Sequence, residues 1–261
     1  MKIFLVTKVN KLAKILVIIF LTTISIYSLY ISKNPLDTTL CNSSFSKEFI
    51  NKITNLINGN EKIAYLTFDD GPTSLVTSKI LDILKSENIK STFFVIGKSV
   101  EANPEMVKRA YEEGHYIANH SYSHNNSILY KNSECFIEEI RKTDLAIGKA
   151  IGVDNYCSHI FRFPNGFMAP MYKYEKQKSI TLLQEMNYAY IDWNCLNNDS
   201  MKKYSNEQLL YNLRQSCKDK NTLVILMHDT KDVNDSSLVL KESILYLKSQ
   251  GYIFKNFYEL F

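Results

Sequence analysis

The alternation of apolar and polar positions divides the chain into a long apolar run, a polar stem and roughly 200 residues of alternating β-prone and helix-prone segments. The strand-like runs are IAYLTF (63–68), STFFVIG (91–97), YIAN (116–119), HIFRF (159–163), YAYIDW (188–193), TLVILM (222–227) and YIFKNF (252–257). Between them, LVTSKILDILKSEN (75–88) carries apolar residues at helical spacing. PEMVKRAYEEG (104–114) opens on a proline and closes on a glycine, the usual marks of a helix start and stop. Such alternation predicts βα units and a parallel sheet. Seven or eight units in this length predict an α/β barrel or a heavily trimmed one.

Ahead of this region, Ile15 to Ser32 carries no charge and has lysines on both sides, about the length one helix needs to cross a bilayer. Lys2, Lys8, Lys11 and Lys14 favour a cytoplasmic N-terminus and an external C-terminus. A cleavable signal peptide is the rival reading. An uncleaved anchor is preferred because no small-residue cleavage site follows, and Thr23 and Ser25 fall inside the apolar run. The expected organisation is a basic cytoplasmic segment 1–14, a transmembrane anchor 15–32, a stem 33–60 with an amphipathic helix around 46–57, and an external catalytic domain 61–261. If the signal is cleaved, the domain is secreted.

Composition narrows the options. At 45% hydrophobic and 22% charged, 261 residues suffice for one sizeable core. A net charge of +4, with no basic cluster among stacking aromatics, argues against a nucleic-acid partner. No protein partner is indicated. The five cysteines (Cys41, Cys135, Cys157, Cys195, Cys217) contain no C-x-x-C pair, which disfavours a thiolate zinc site. Odd in number and scattered, they read as small apolar fillers.

The polar residues fall in register on the predicted strands. Asp69 and Asp70 follow the first strand, His120 and His124 the third; Arg162 ends the fourth, Asp192 the fifth, and His228 and Asp229 follow the sixth. Barrels of this type carry their chemistry at the C-terminal strand ends. His120 and His124 would be about 13 Å apart on a strand but about 6 Å along a helical turn. A shared ion therefore predicts that the chain turns helical directly after the third strand. Two imidazoles and one carboxylate, from Asp69 or Asp70, leave positions open for water and substrate, the pattern of catalytic zinc and related divalent metals. Neighbouring strand residues point to opposite faces, so the two carboxylates are expected to do different work. His115 and His159 precede strands and read as structural or surface residues. Trp193 fits either a sugar-stacking or a core role, and Asp229 a helix cap.

The set TFDDGP (67–72), HSYSH (120–124), RFPNG (162–166), DWN (192–194) and LMH (226–228) resembles the NodB-homology polysaccharide deacetylases, carbohydrate esterase family four, over residues 60–257. The resemblance implies an α/β fold of the distorted (β/α)7–8 barrel type, and Asp70, His120 and His124 as metal ligands, with zinc the expected ion and cobalt, nickel or manganese as alternatives. It further implies Asp69 as general base, Arg162 as the residue orienting it, His228 as general acid and Asp192 as the carboxylate that tunes this acid. Asn165, Trp193 and Leu226 are the positions assigned to substrate. Many relatives carry an aromatic residue where this chain has Asn165, which loosens the inference about sugar binding. The expected activity is metal-dependent N-deacetylation of a cell-envelope glycan, peptidoglycan first. The alternatives are an O-acetyl esterase on a xylan-like polymer and an inactive glycan-binding module.

Overall fold

The computed structural model describes residues 47–230 and 233–260. The predicted cytoplasmic segment, the transmembrane anchor, the first part of the stem and Cys41 lie outside the described residues. No helix among the described residues is long and apolar enough to cross a membrane.

Eight parallel strands form one sheet: β1 (Ile63–Asp69), β2 (Thr92–Val95), β3 (Tyr116–Asn119), β4 (Ile160–Phe161), β5 (Ala189–Tyr190), β6 (Cys195–Leu196), β7 (Thr222–His228) and β8 (Ile253–Phe254). Their order is β5-β4-β3-β2-β1-β7-β6, with β8 added to the start of β1. The sheet curls in the manner of a barrel, but no ladder joins its edge strands β5 and β6 among the described residues. The expected parallel α/β architecture is present as an open, curled sheet rather than a closed barrel. Sequence reading missed β6, whose two residues carry no alternation to signal it.

The helices are α1 (Lys47–Thr54), α2 (Val76–Ser86), α3 (Gly97–Ala102), α4 (Pro104–Glu112), α5 (Asn126–Leu129), α6 (Ser133–Ile151), α7 (Lys173–Glu185), α8 (Asn206–Cys217) and α9 (Ser237–Ser249). The helix expected in the stem is α1, and it belongs to the core. Ile53 is fully buried in the cluster that fills the inside of the sheet, with Phe49 and Ile50 packed against it. The closing turn Phe257–Leu260 joins the same cluster. Together they stopper the end of the sheet opposite the strand C-termini.

Strand alternation sets which residues face inward. Tyr65 on β1, Tyr116 and Ala118 on β3, Ile160 on β4, Ala189 on β5, Ile191 just after it and Val224 on β7 all belong to the inner cluster. Stepping by two along each strand brings the same face to Asp69, His120, Arg162, Trp193 and His228. The opposite parity packs outward: Phe161, Phe163 and Tyr188 pack with Phe136 of α6 and Leu183 of α7. The cysteines correct the filler reading in part. Cys195 of β6 and Cys217 of α8 form a disulfide, whereas Cys157 Sγ lies 3.5 Å from His159 Nδ1.

Candidate active site

Asp69 is the last residue of β1 and lies directly opposite His228, the last of the neighbouring β7. It is buried, and its Oδ1 accepts a 2.7 Å hydrogen bond from Arg162. The same guanidinium donates to Thr67 Oγ1, Ile191 O and Asp192 O, so a fully buried cation is pinned from four directions. Asp69 Oδ2 is left facing the site, 3.8 Å from His120 Nε2.

Asp70 separates from Asp69 by a turn rather than by the pleat. Its φ of +74° takes it out of the strand into the left-handed region. Gly71 follows because the chain passes so close to Asp229 that a Cβ there would sit 2.2 Å from the Asp229 carboxylate. Asp229 is buried and accepts from Thr77 on α2, so the predicted cap for the next helix is instead a tie between strand end and helix. Burial raises its pKa well above the usual carboxylate range.

His120 and His124 do meet, with ring centroids 5.0 Å apart, but not through the helical turn that their spacing predicted. The segment is a tight bend in which Ser121 and His124 both have positive φ. Side chains hold this bend. Asn119 accepts from the Ser121 amide, Ser121 Oγ from the His124 amide, and Glu139 of α6 from the amides of Tyr122 and Ser123. Two left-handed residues achieve in one bend what a helix achieves by its pitch.

Both imidazole Nε2 atoms lie 3.3 Å from Asp70 Oδ1. That oxygen is buried and has no hydrogen-bond partner, an expensive state for a carboxylate unless an ion occupies the space. His120 Nδ1–H donates to Arg162 O at 2.8 Å, which directs the Nε2 lone pair toward Asp70. Donor atoms of Asp70, His120 and His124 all lie within 4.8 Å of one another. This N,N,O set fits zinc and its divalent neighbours. Burial works against the Asp70 charge, but the close approach of the His120 imidazole, with His124 and His228 beyond it, holds the carboxyl well below its usual range. His124 is depressed by burial and by the charge of His120.

His228 differs from expectation in its partner. Its Nδ1–H donates to Asp199 Oδ1 at 2.6 Å, and its own amide donates to Asp199 Oδ2 at 2.8 Å. Ser236 Oγ also donates to this buried carboxylate, and Asn234 to the Asp199 carbonyl. Burial opposes protonation of His228, yet the Asp199 hydrogen bond and the surrounding carboxylates outweigh it and push the imidazole up to about 9. His228 Nε2 faces the site, 4.0 Å from Asp70 Oδ2.

Asp192 therefore does not tune His228. It shares the outward parity of Tyr188 and Tyr190, and its carboxylate accepts from the amides of Phe167 and Met168. The residue that does the tuning, Asp199, lies in the loop after β6, which sequence reading had missed.

Of the residues assigned to substrate, Asn165 is exposed in a left-handed turn with φ +64°. Leu226 is buried on the inward face of β7 between Val224 and His228. Trp193 is half-buried against the inner cluster, its ring 5.7 Å from the Arg162 guanidinium. A cleft of about 500 Å³ opens beside Asp70 and His124, walled by Thr73, Leu75, Ile96, Ser99 and Thr230. A larger cavity of about 610 Å³, between α6 and the segment Val153–Cys157, touches none of these groups. His115, as expected of a structural histidine, is buried with Nδ1 accepting from the Ser91 amide, and burial lowers it to about 3.

A buried carboxylate–arginine pair, a histidine–carboxylate dyad and an N,N,O cluster on one rim of a curled parallel sheet define a hydrolase-type site. Residues 57–191 match the polysaccharide deacetylase family, and the chain belongs to that family. It is 35% identical over 202 residues to the peptidoglycan-N-acetylglucosamine deacetylase PgdA of Listeria monocytogenes, a match covering 77% of this chain and 39% of that protein's length. It is 30% identical to the peptidoglycan-N-acetylmuramic acid deacetylase PdaA of Bacillus subtilis over 78% of this chain and 73% of the relative. Among solved structures, the catalytic domain of a peptidoglycan N-acetylglucosamine deacetylase from Eubacterium rectale superposes with a TM-score of 0.69 at 30% identity, covering 77% of this chain and 90% of that one.

Proposed function

We propose that this protein removes the N-acetyl group from sugars of a cell-envelope glycan, most directly the N-acetylglucosamine or N-acetylmuramic acid of peptidoglycan, releasing acetate. The observation that carries the reading is the convergence on one rim of Asp69 held by Arg162, His228 held by Asp199, and the Asp70–His120–His124 cluster. The peptidoglycan deacetylases among the relatives support the substrate class. A divalent cation held by Asp70, His120 and His124, zinc being the first candidate, would polarise the amide carbonyl and acidify water.

The chain's own groups supply the rest. Asp69, its Oδ1 fixed by Arg162, takes a proton from the attacking water through the free Oδ2. A backbone N–H at Asn165 donates to the oxyanion that develops on the former carbonyl. The carbon–nitrogen bond then breaks, and His228, charged through neutral pH, gives its Nε2 proton to the departing amine. Acetate and an amino sugar leave. Asp199 keeps the imidazole oriented and cationic between turnovers.

We place the domain outside the cytoplasm. The lysine-flanked apolar segment Ile15–Ser32 and the Cys195–Cys217 disulfide both support this, since disulfides persist in oxidising surroundings. Acetate release from purified peptidoglycan tests the reading: it should stop on chelation and return on adding zinc. Release that is indifferent to chelation would overturn the assignment of the Asp70 cluster.

A further inference from the structure

The loop between β4 and α7 carries Asn165, and two charges of opposite sign, the half-buried Asp192 and the buried Lys176, grip it. On one side, Asp192 accepts from the Phe167 amide at 2.9 Å and the Met168 amide at 3.4 Å. On the other, Lys176 of α7, only 1% exposed, donates from Nζ to Gly166 O at 2.5 Å and to Ala169 O at 3.5 Å. A lysine so buried is costly, since burial disfavours its charge. Its hydrogen bonds are to carbonyls of this one turn. The anion thus holds the amides, and the cation the carbonyls, of the same four-residue stretch.

Two further links join this turn to the chemistry. Gly166, at φ +81°, lies so close to Trp193 that a Cβ would come within 2.8 Å of the indole. Asp192 offers its backbone carbonyl to Arg162, the residue that orients Asp69. Asp192 is therefore shared: its carboxylate holds the turn and its carbonyl holds the arginine.

We propose that Lys176 and Asp192 are paired positioning residues, which fix the Pro164–Ala169 turn so that the Asn165 N–H meets the oxyanion while Arg162 holds the base. The proposal rests on the deacetylase reading for its chemistry, but its structural half can be measured without substrate. Oxyanion donors act only when preplaced, and displacement by about 1 Å costs on the order of a hundredfold in rate.

The test uses the full chain and Lys176→Met, which keeps the length of the side chain and removes its charge and donors. Hydrogen exchange should quicken at the amides of 165–169 and stay unchanged on β1 and β7. Zinc affinity should match wild type. On peptidoglycan fragments, kcat should fall on the order of a hundredfold with KM within a few-fold, and Lys176→Arg should recover much of the loss. Should Lys176→Met fail to fold, Asp192→Asn, of equal volume, takes its place with the same expected pattern. Unchanged exchange in the turn overturns the proposal whatever the substrate, and so does faster exchange with unchanged kcat. A loosened turn in a chain whose wild type releases no acetate supports the clamp and sinks the deacetylase reading instead.

Discussion

Asp69 and Asp70 are neighbours with different environments, and this predicts two separable phenotypes. Asp69 Oδ1 is bound to Arg162, whereas Asp70 Oδ1 sits between two imidazoles with no hydrogen-bond partner. Asp69→Asn should keep metal affinity within a few-fold and lose on the order of a hundredfold or more in turnover. Asp70→Ala should lose metal and turnover together, as read by metal titration beside an acetate assay. The pH profile separates Asp199 from Asp192. His228 must be protonated to act as the acid, so activity falls as pH rises through its pKa, raised to about 9. Losing the Asp199 anion should move that alkaline limb down by about one to two pH units. Asp192→Asn should leave the limb in place, whatever it does to the rate. Strand parity already held this distinction: Asp192 is even-numbered with Tyr188 and Tyr190, which pack outward, and Trp193 is odd with Ala189 and Ile191, which face in. Asp199 was beyond such reasoning. A two-residue strand and an irregular loop bring it to His228, and neither has a period to read.

At the scale of elements, the buried network behind β3 ties the sheet to α6. Asn119, outward on β3, donates to Ile140 O and to Asp144 Oδ1, and Asp144 also accepts from Ser158 and Tyr188. Burial raises Asp144 to about 6, and these hydrogen bonds only partly offset it. The folded pKa therefore exceeds the unfolded one. The stability linked to this group is complete below about pH 4 and is lost as pH rises through about 6. Asp144→Asn should flatten that dependence, recovering up to about 3 kcal/mol at pH 8 relative to pH 4. Denaturant melts at several pH values measure this, and parallel curves for the two proteins would refute it. The long strands β1 and β7 were legible as apolar runs ending in carboxylate or histidine. The bend between His120 and His124 was not, because positive φ at Ser121 and His124 depends on acceptors from Asn119 and Glu139.

Across the molecule, the sheet gathers its chemistry on one rim because every strand runs the same way. Alternation turns Asp69, His120, Arg162 and His228 to the same inner face, above a core stoppered by Ile53 and Phe257. The motif order along the chain made that rim readable in advance. The opening between β5 and β6 was not readable, since strand pairing at the edges depends on loops rather than on apolar period. The most direct test of the proposed activity is mass spectrometry of purified muropeptides after incubation with the chain and zinc. The account predicts products lighter by one acetyl group per modified sugar, fragmentation placing the loss on N-acetylglucosamine or N-acetylmuramic acid, and no such products with Asp69→Asn. Unchanged muropeptides in the presence of metal-loaded protein, or equal conversion by Asp69→Asn, would contradict it.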